Sequence, residues 1–257
     1  MGRVMAVFNQ KGGVGKTTSV INLAAALGKL TKKVLIVDID PQGNATSGLG
    51  IDKNSLQSSV YDVMINQVDI RNIIYSTSAE NVDIVPSNVE LAGAEIELIE
   101  VEDRELVLKN SLMEIKDTYD FILIDCPPSL GLLSINGLAA SDSVIIPIQC
   151  EYYALEGVSQ LMETIMLVKR GLNPQLEIEG VILSMFDGRT NLSIQVVDEV
   201  KKYFKGKVYT TIIPRNVRLA EAPSHGLSVM DYDPKSKGAE AYSELAEEFL
   251  YLLEEEI

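Results

Sequence analysis

Residues 3–18 read RVMAVFNQKGGVGKTT, and the order of these residue types decides what kind of fold surrounds them. Residues 3–8 form a nearly continuous apolar run, the pattern of a strand buried on both faces in a parallel sheet. Gly12, Gly13 and Gly15 follow, directly before a segment of helical period. Glycine lets the backbone curl so that successive N–H groups converge on phosphate oxygens. The N-terminus of the next helix adds the positive end of its dipole. At that point Lys16 is expected to reach the β- and γ-phosphates, and Thr17 to offer its hydroxyl to Mg2+. The usual pattern begins with Gly, but here Gln10 holds that place and a second lysine, Lys11, follows it. A glycine-rich turn with no ligand does not call for Gly-Lys-Thr at the start of a helix. The stretch from Lys11 to Thr18, with Asp40 and Asp125, therefore predicts a site that binds and hydrolyses a nucleoside triphosphate.

The rest of the chain repeats the same alternation. Further apolar runs at 34–39, 82–85, 121–124, 143–147, 178–185 and 208–213 read as buried strands. Helical patterns at 16–30, 104–117, 154–171 and 192–204 lie between them. In the third, Leu155, Val158, Leu161, Met162, Ile165 and Met166 share a face, which is read as core packing. Alternating βαβ units predict one α/β domain over residues 1–257, a three-layer, doubly wound P-loop NTPase with a mostly parallel sheet. Residues 51–81 are the least regular and read as a helical insertion. Residues 239–257 read as an acidic amphipathic helix, the wrong charge for an anionic membrane surface.

Composition narrows the class further. Among 257 residues, 22 are basic and 37 acidic, a formal net charge of −15, which on average opposes polyanionic partners. The apolar fraction of 46% supports a sizeable core. No apolar run approaches the ~20 residues that a membrane span needs, and the N-terminal run is too short for a signal sequence. The two cysteines, Cys126 and Cys150, make neither a disulfide framework nor a metal spacing. A soluble cytosolic protein is expected.

Two more strands end in carboxylates, in VDIDPQGN (37–44) and ILIDCPP (122–128). Strand C-termini are where ligands bind in open α/β sheets. An apolar strand ending in a lone Asp is a magnesium anchor, which Asp125 fits. For Asp38 and Asp40 helix capping or turn formation is the plainer alternative, and it weighs more for Asp38. Cys126 reads as a small packing residue, and His225, the only histidine, as structural or a surface contact.

These motifs carry a family resemblance. Lys11 to Thr18 resembles the deviant Walker A motif of the ParA/MinD group of P-loop ATPases. DIDPQGNAT (38–46), DCPPSLG (125–131), PIQCEYYALEG (147–157) and IPRNVRLAEAPSHG (213–226) resemble the Soj/ParA branch of partitioning ATPases, whose pattern includes Gln10. The resemblance implies that ATP is the nucleotide and Mg2+ the metal. It implies phosphate contacts from Lys11, Gly12, Gly13, Val14, Gly15, Lys16, Thr17 and Thr18. Lys11 would cross a nucleotide-sandwich homodimer to the partner's phosphates. Asp40 would position the attacking water, Asp125 would be the Walker B aspartate, and Thr17, Asp40 and Asp125 would serve the metal. Pro214 and Asn216 would hold adenine, with Met185 near it.

The resemblance also implies sequence-tolerant binding of double-stranded DNA by the ATP-bound homodimer, through Arg189 and Arg218. The segment 189–218 carries Arg189, Lys201, Lys202, Lys205, Lys207, Arg215 and Arg218 against only Asp198 and Glu199, a local surplus of the right sign. A DNA-bound ParB-type centromere-binding protein would stimulate hydrolysis through a short basic segment, placing the protein on the nucleoid in the cytoplasm. Three rivals stand beside this reading: a MinD-like cell-division ATPase, which the acidic C-terminus disfavours; a metabolic P-loop enzyme; and a nucleotide-dependent interaction module without turnover.

Overall fold

A computed structural model describes residues 2–151 and 157–255. In chain order its strands are β1 (Arg3–Val7), β2 (Val34–Asp38), β3 (Tyr75–Ser76), β4 (Val82–Val85), β5 (Phe121–Asp125), β6 (Ser143–Gln149), β7 (Glu177–Phe186) and β8 (Val208–Pro214). The helices are α1 (Lys16–Lys29), α2 (Asn44–Gly48), α3 (Val60–Met64), α4 (Leu91–Glu97), α5 (Val107–Met113), α6 (Leu132–Ala140), α7 (Val158–Gly171), α8 (Asn191–Tyr203), α9 (Val217–Glu221), α10 (Val229–Tyr232) and α11 (Lys237–Glu255).

All eight strands join one sheet in the order β3-β4-β2-β5-β1-β6-β7-β8. Every pairing is parallel except β3 with β4. Successive residues of a strand face opposite sides, so each strand serves two cores. In β1, Val4 and Ala6 join one cluster with residues of α3 to α8. Met5 and Val7 join the other, with Leu23 and Leu27 of α1 and Leu245 and Phe249 of α11. The result is the expected three-layer, doubly wound arrangement. It brings the C-terminal ends of β1, β2, β5, β7 and β8 to one edge.

The register at that edge matters for everything that follows. Val7 pairs with Asp125 across β1 and β5, and Asp38 pairs with Asp125 across β2 and β5. Three strands therefore end level, and two carboxylates sit side by side at the limit of the apolar sheet.

The seven expected strands are present, and the eighth, β3, was not expected. It lies at the end of the 51–81 segment, which holds α3, a 3-10 turn at Ile70–Ile73 and β3, so only part of it is helical. The helix expected over 104–117 is shorter, Val107–Met113, and the Asn136 side chain bonds the backbone at its start. That side chain donates to the Arg104 carbonyl (2.8 Å) and accepts from the Leu108 N–H (3.1 Å). In α7 the core face is Val158, Leu161, Ile165 and Val168, while Met166 is exposed. Leu155, and the expected helix start at 154, lie outside the described residues.

The C-terminal helix does more than cover the sheet. Glu248 of α11 accepts the Thr210 and Thr211 N–H groups of β8 at 2.6 and 2.9 Å. Among the described residues, no helix is long and apolar enough to cross a membrane.

Gly28 sets how closely α1 can lie on the sheet, because a Cβ there would overlap the Glu80 carbonyl oxygen just before β4. Gly28→Ala should cost about 1–3 kcal/mol, the usual scale of overpacking. Urea denaturation should show a lower midpoint with an unchanged slope.

Candidate nucleotide and magnesium site

The loop after β1 is braced from three sides. Asn9 donates to the Pro147 carbonyl of β6 (2.8 Å) and accepts from the Lys11 N–H (3.0 Å). Gln10 donates to the Thr164 hydroxyl of α7 (2.7 Å), and Ser184 of β7 donates to the Val14 carbonyl (2.8 Å). Gln10 thus has a local reason to replace glycine. Gly13 and Gly15 adopt φ values of +75° and +92°, the left-handed region that glycine enters without strain. A Cβ on Gly12 or Gly13 would meet nothing within 4 Å, so the concave side of the loop is open to a ligand.

Lys16 opens α1 yet is buried, and its Nζ donates to the Lys11 carbonyl at 3.3 Å. Burial lowers its pKa, opposed by the nearby Asp125 and Asp40 carboxylates and the Cys126 thiol. Asp125 is wholly buried, and neither carboxylate oxygen has a hydrogen-bond partner. Burial first, and the Asp38 carboxylate next, raise its pKa well above the usual range; Thr17 and Lys16 stand close enough to oppose that rise. An orphaned buried carboxylate is costly. A hydrated divalent cation in front of it would remove that cost, so the residues present fit magnesium. Among the described residues, no three or more His, Cys, Asp or Glu are arranged so that together they could hold a metal ion. That matches Mg2+, which takes one or two carboxylates and completes its shell with water and phosphate.

The two aspartates after β2 have different surroundings. Asp38 accepts the Thr46 N–H (2.9 Å), the Thr46 hydroxyl (2.7 Å) and the Asp40 N–H (3.2 Å). Burial pushes its carboxyl up to about 6 against those bonds. Asp38 is thus committed to holding the start of α2, the plainer of its two readings. Asp40 is also buried and makes a turn, accepting the Gln42 N–H at 2.9 Å, while its carbonyl accepts the Gly43 N–H at 2.8 Å. Unlike Asp38, it stands near enough to Lys16 to act on it electrostatically. Ser87, just after β4, ties this turn down by donating to the Asp40 carbonyl (2.8 Å), and its N–H donates to the Thr46 hydroxyl (2.9 Å).

Beside the loop lies a cavity of about 240 Å3, lined by Gly15, Thr18, Met185, Pro214, Asn216 and Leu219 among others. Met185, Pro214 and Asn216 meet here because β7 and β8 end side by side. An apolar slot opening from the phosphate loop suits a flat purine. Met185 holds φ +53° without being glycine, a strained conformation typical of ligand sites. The Asn216 side chain also caps α9, accepting the Arg218 N–H at 2.8 Å.

The remaining residues behave differently from a simple basic patch. Arg189 and Arg218 follow β7 and β8, at the same edge as the phosphate loop. Lys201 to Lys207 sit where α8 turns back into the start of β8, the opposite edge. The seven cations therefore form no single patch, because a helix between parallel strands carries its two ends to opposite edges of the sheet. Arg189 is paired with Asp187 (2.6 Å), Arg215 with Glu151 (2.9 Å), and Arg218 with Glu221 (2.8 Å) and Asp233 (3.1 Å). Each of these carboxylates lies outside residues 189–218. Cys126 and Cys150 are buried free thiols, and burial pushes Cys150 up to about 11. His225 stacks on Tyr232 at 4.8 Å.

A family model described as an AAA domain matches residues 2–178. The chain is 60% identical over 248 residues to the sporulation initiation inhibitor protein Soj of Bacillus subtilis, covering 96% of this chain and 98% of that one. It is 52% identical over 250 residues to the chromosome-partitioning ATPase Soj of Treponema pallidum, covering 97% and 98%. The chain belongs to the ParA/Soj family of partitioning ATPases.

A ParA/Soj fold is shared with solved structures that hold nucleotide. The crystal structure of cobyrinic acid a,c-diamide synthase from Mycobacterium smegmatis with bound ADP and magnesium is 40% identical, with a TM-score of 0.85 over 96% of this chain and 93% of that one. This ParA/Soj chain is accordingly an ATPase that uses ATP and Mg2+. Sequence reasoning missed Asn9, Ser184, Thr46 and Ser87, which brace the loops rather than face the ligand.

Mg·ATP should raise the melting temperature of the wild type by several degrees, since a ligand bound only to the native state stabilises it. Asp125→Asn should lose most of that gain while keeping its far-UV circular dichroism. EDTA should reduce the wild type to the same small gain. An undiminished shift in Asp125→Asn would remove Asp125 from the metal's surroundings.

Proposed function

We propose that this ATPase is a dimerising switch for partitioning chromosomal or plasmid DNA, built as one domain whose nucleotide site is completed by a second copy. The observation that carries this reading is the division of labour between the two lysines. Lys16 is buried in its own loop. Lys11 contributes only backbone groups there, and among the described residues its amine enters no hydrogen bond or ion pair. A cation at the rim of an open phosphate loop can serve phosphates bound across a two-fold axis.

Phosphoryl transfer needs positioning and charge neutralisation more than covalent chemistry. Lys16 supplies fixed positive charge at the β- and γ-phosphates, and the N–H groups of residues 12–18 cradle them. Thr17 and Asp125 would hold the metal, which would supply Lewis-acid charge neutralisation when bound. Asp40, held in a turn by its bonds to Gln42 and Gly43, would orient the water for in-line attack and would also serve the metal. Met185, Pro214 and Asn216 enclose the adenine. ATP joins two subunits and hydrolysis lets them part.

The ATP dimer binds duplex DNA without reading sequence, through Arg189 and Arg218 at the rim that carries the nucleotide. Their carboxylate partners must be displaced by phosphate, so binding is weak and strongly salt-dependent. A DNA-bound ParB-type protein accelerates hydrolysis and releases the dimer from the nucleoid, within the cytoplasm.

Gel filtration with Mg·ATP tests the switch. Asp40→Ala should accumulate as a dimer, whereas Lys11→Ala should bind ATP and remain monomeric. A Lys11→Ala protein that dimerises like the wild type would refute the shared site. Arg189→Glu should weaken binding to arbitrary duplex DNA at least tenfold without altering ATP affinity, read by fluorescence anisotropy. Equal DNA affinity for the two proteins would exclude this surface.

A further inference from the structure

The segment from Val89 to Ile99, centred on α4, carries two apolar stripes where a surface helix needs one. Leu91, Ala94 and Leu98 are buried in the core. Val89, Ile96 and Ile99 project from the other side and are 77%, 73% and 57% exposed. Helical backbone runs through the whole stretch, since the Ala92 N–H donates to Val89 (3.1 Å), Gly93 to Glu90 (2.9 Å) and Val101 to Leu98 (3.0 Å). The exposed residues therefore lie along one side of about three helical turns. Exposed apolar side chains aligned on one side of a surface helix mark an interaction site, and this spacing suits a helix laid against it.

Charge selects the occupant. Glu100 and Glu102 are exposed beside the stripe, and Arg104, the nearest cation in sequence, is already paired with Glu105 at 3.0 Å. A second copy of this chain would bring the same carboxylates face to face, which is unfavourable. A cationic amphipathic helix satisfies both the stripe and its acidic border.

The segment leading into α4 and α4 itself each touch one loop of the nucleotide site. Ser87, two residues before Val89, bonds the Asp40 carbonyl and, through Thr46, reaches Asp38. Glu95, on α4 itself, packs its carboxylate against Gly131 in the loop after β5, with Oε1 buried and without a partner. A helix settling on the outer face would load Ser87 and Glu95 together. We propose that the stripe of Val89, Ile96 and Ile99, bordered by Glu100 and Glu102, docks a cationic amphipathic segment of the DNA-bound partner, and that Ser87 conveys its presence to Asp40. The identity of the partner rests on the switch reading above; the surface itself does not.

The test uses the full chain with Mg·ATP and the partner's cationic segment as a fluorescently labelled synthetic peptide. Ile96→Ser combined with Ile99→Ser should weaken peptide binding at least tenfold and abolish peptide-stimulated turnover, with basal turnover unchanged. Tyr251→Ser with Leu252→Ser removes exposed apolar side chains from α11 and should change binding less than twofold. Glu100→Lys with Glu102→Lys should weaken binding tenfold or more, and the loss should shrink as salt is raised. Unchanged peptide binding in the α4 variants overturns the docking surface and leaves the switch intact. Loss of ATP-dependent dimerisation in the Ile96→Ser, Ile99→Ser protein without peptide also overturns it, because the stripe would then belong to a second copy. A peptide that fails to bind the wild type overturns both the docking and the partner assignment.

Discussion

The whole site depends on one constraint: β1, β2 and β5 must end level. That register sets Asp125 beside Asp38, where the buried apolar runs of β2 and β5 end. Two carboxylates there would repel and desolvate each other if both were left alone. The chain resolves the conflict unequally. Asp38 is given three hydrogen bonds and becomes part of the framework, whereas Asp125 is given none. The cost of leaving Asp125 bare is a standing bias toward whatever positive charge can enter, and Lys16 and a hydrated metal are the two that fit. A slip of one residue in β5 would turn Asp125 to the opposite face, so fold and site share one specification.

Much of the architecture was legible from the chain because parallel, doubly covered strands are written as unbroken apolar runs. The phosphate loop was legible for a different reason: Gly13, Gly15 and Lys16 are residue types that few other environments require at that spacing. The structure gathers Lys16, Thr17, Asp40 and Asp125 at one edge, as the motif order suggested. Met185, Pro214 and Asn216 could be connected only through family resemblance, since nothing local ties the end of β7 to the end of β8. Asn9, Gln10 and Ser184 were opaque as braces, because each takes its meaning from a partner more than a hundred residues away. The two-residue strand β3 is too short to show a period at all.

Charge was the least legible property. A run of cations in sequence suggested a patch, but α8 carries Lys201 to Lys207 to the far edge, away from Arg189 and Arg218. Carboxylates from the segments after β7 and β6 and from the α9–α10 region then close on the arginines. Local composition describes a field only where the chain doubles back over short distances. Across a βαβ unit, residues a dozen positions apart lie about 20 Å apart along the helix axis. A protein of this net charge can thus hold exposed arginines at its ligand rim without presenting a broad cationic surface.

The contact of Glu248 with β8 has a consequence for how such a molecule can assemble. An open sheet edge is a template on which another strand can polymerise. Here one border is sealed by a side-chain carboxylate that occupies two of its amides, and the other ends in a two-residue antiparallel stub. Growth by strand addition is blocked at the sealed border and has little to build on at the other. Under the switch proposed above, two copies would meet at the rim where the strands point, so the route to a larger assembly would run past the nucleotide, and the cell would meter it by the supply and breakdown of one small molecule.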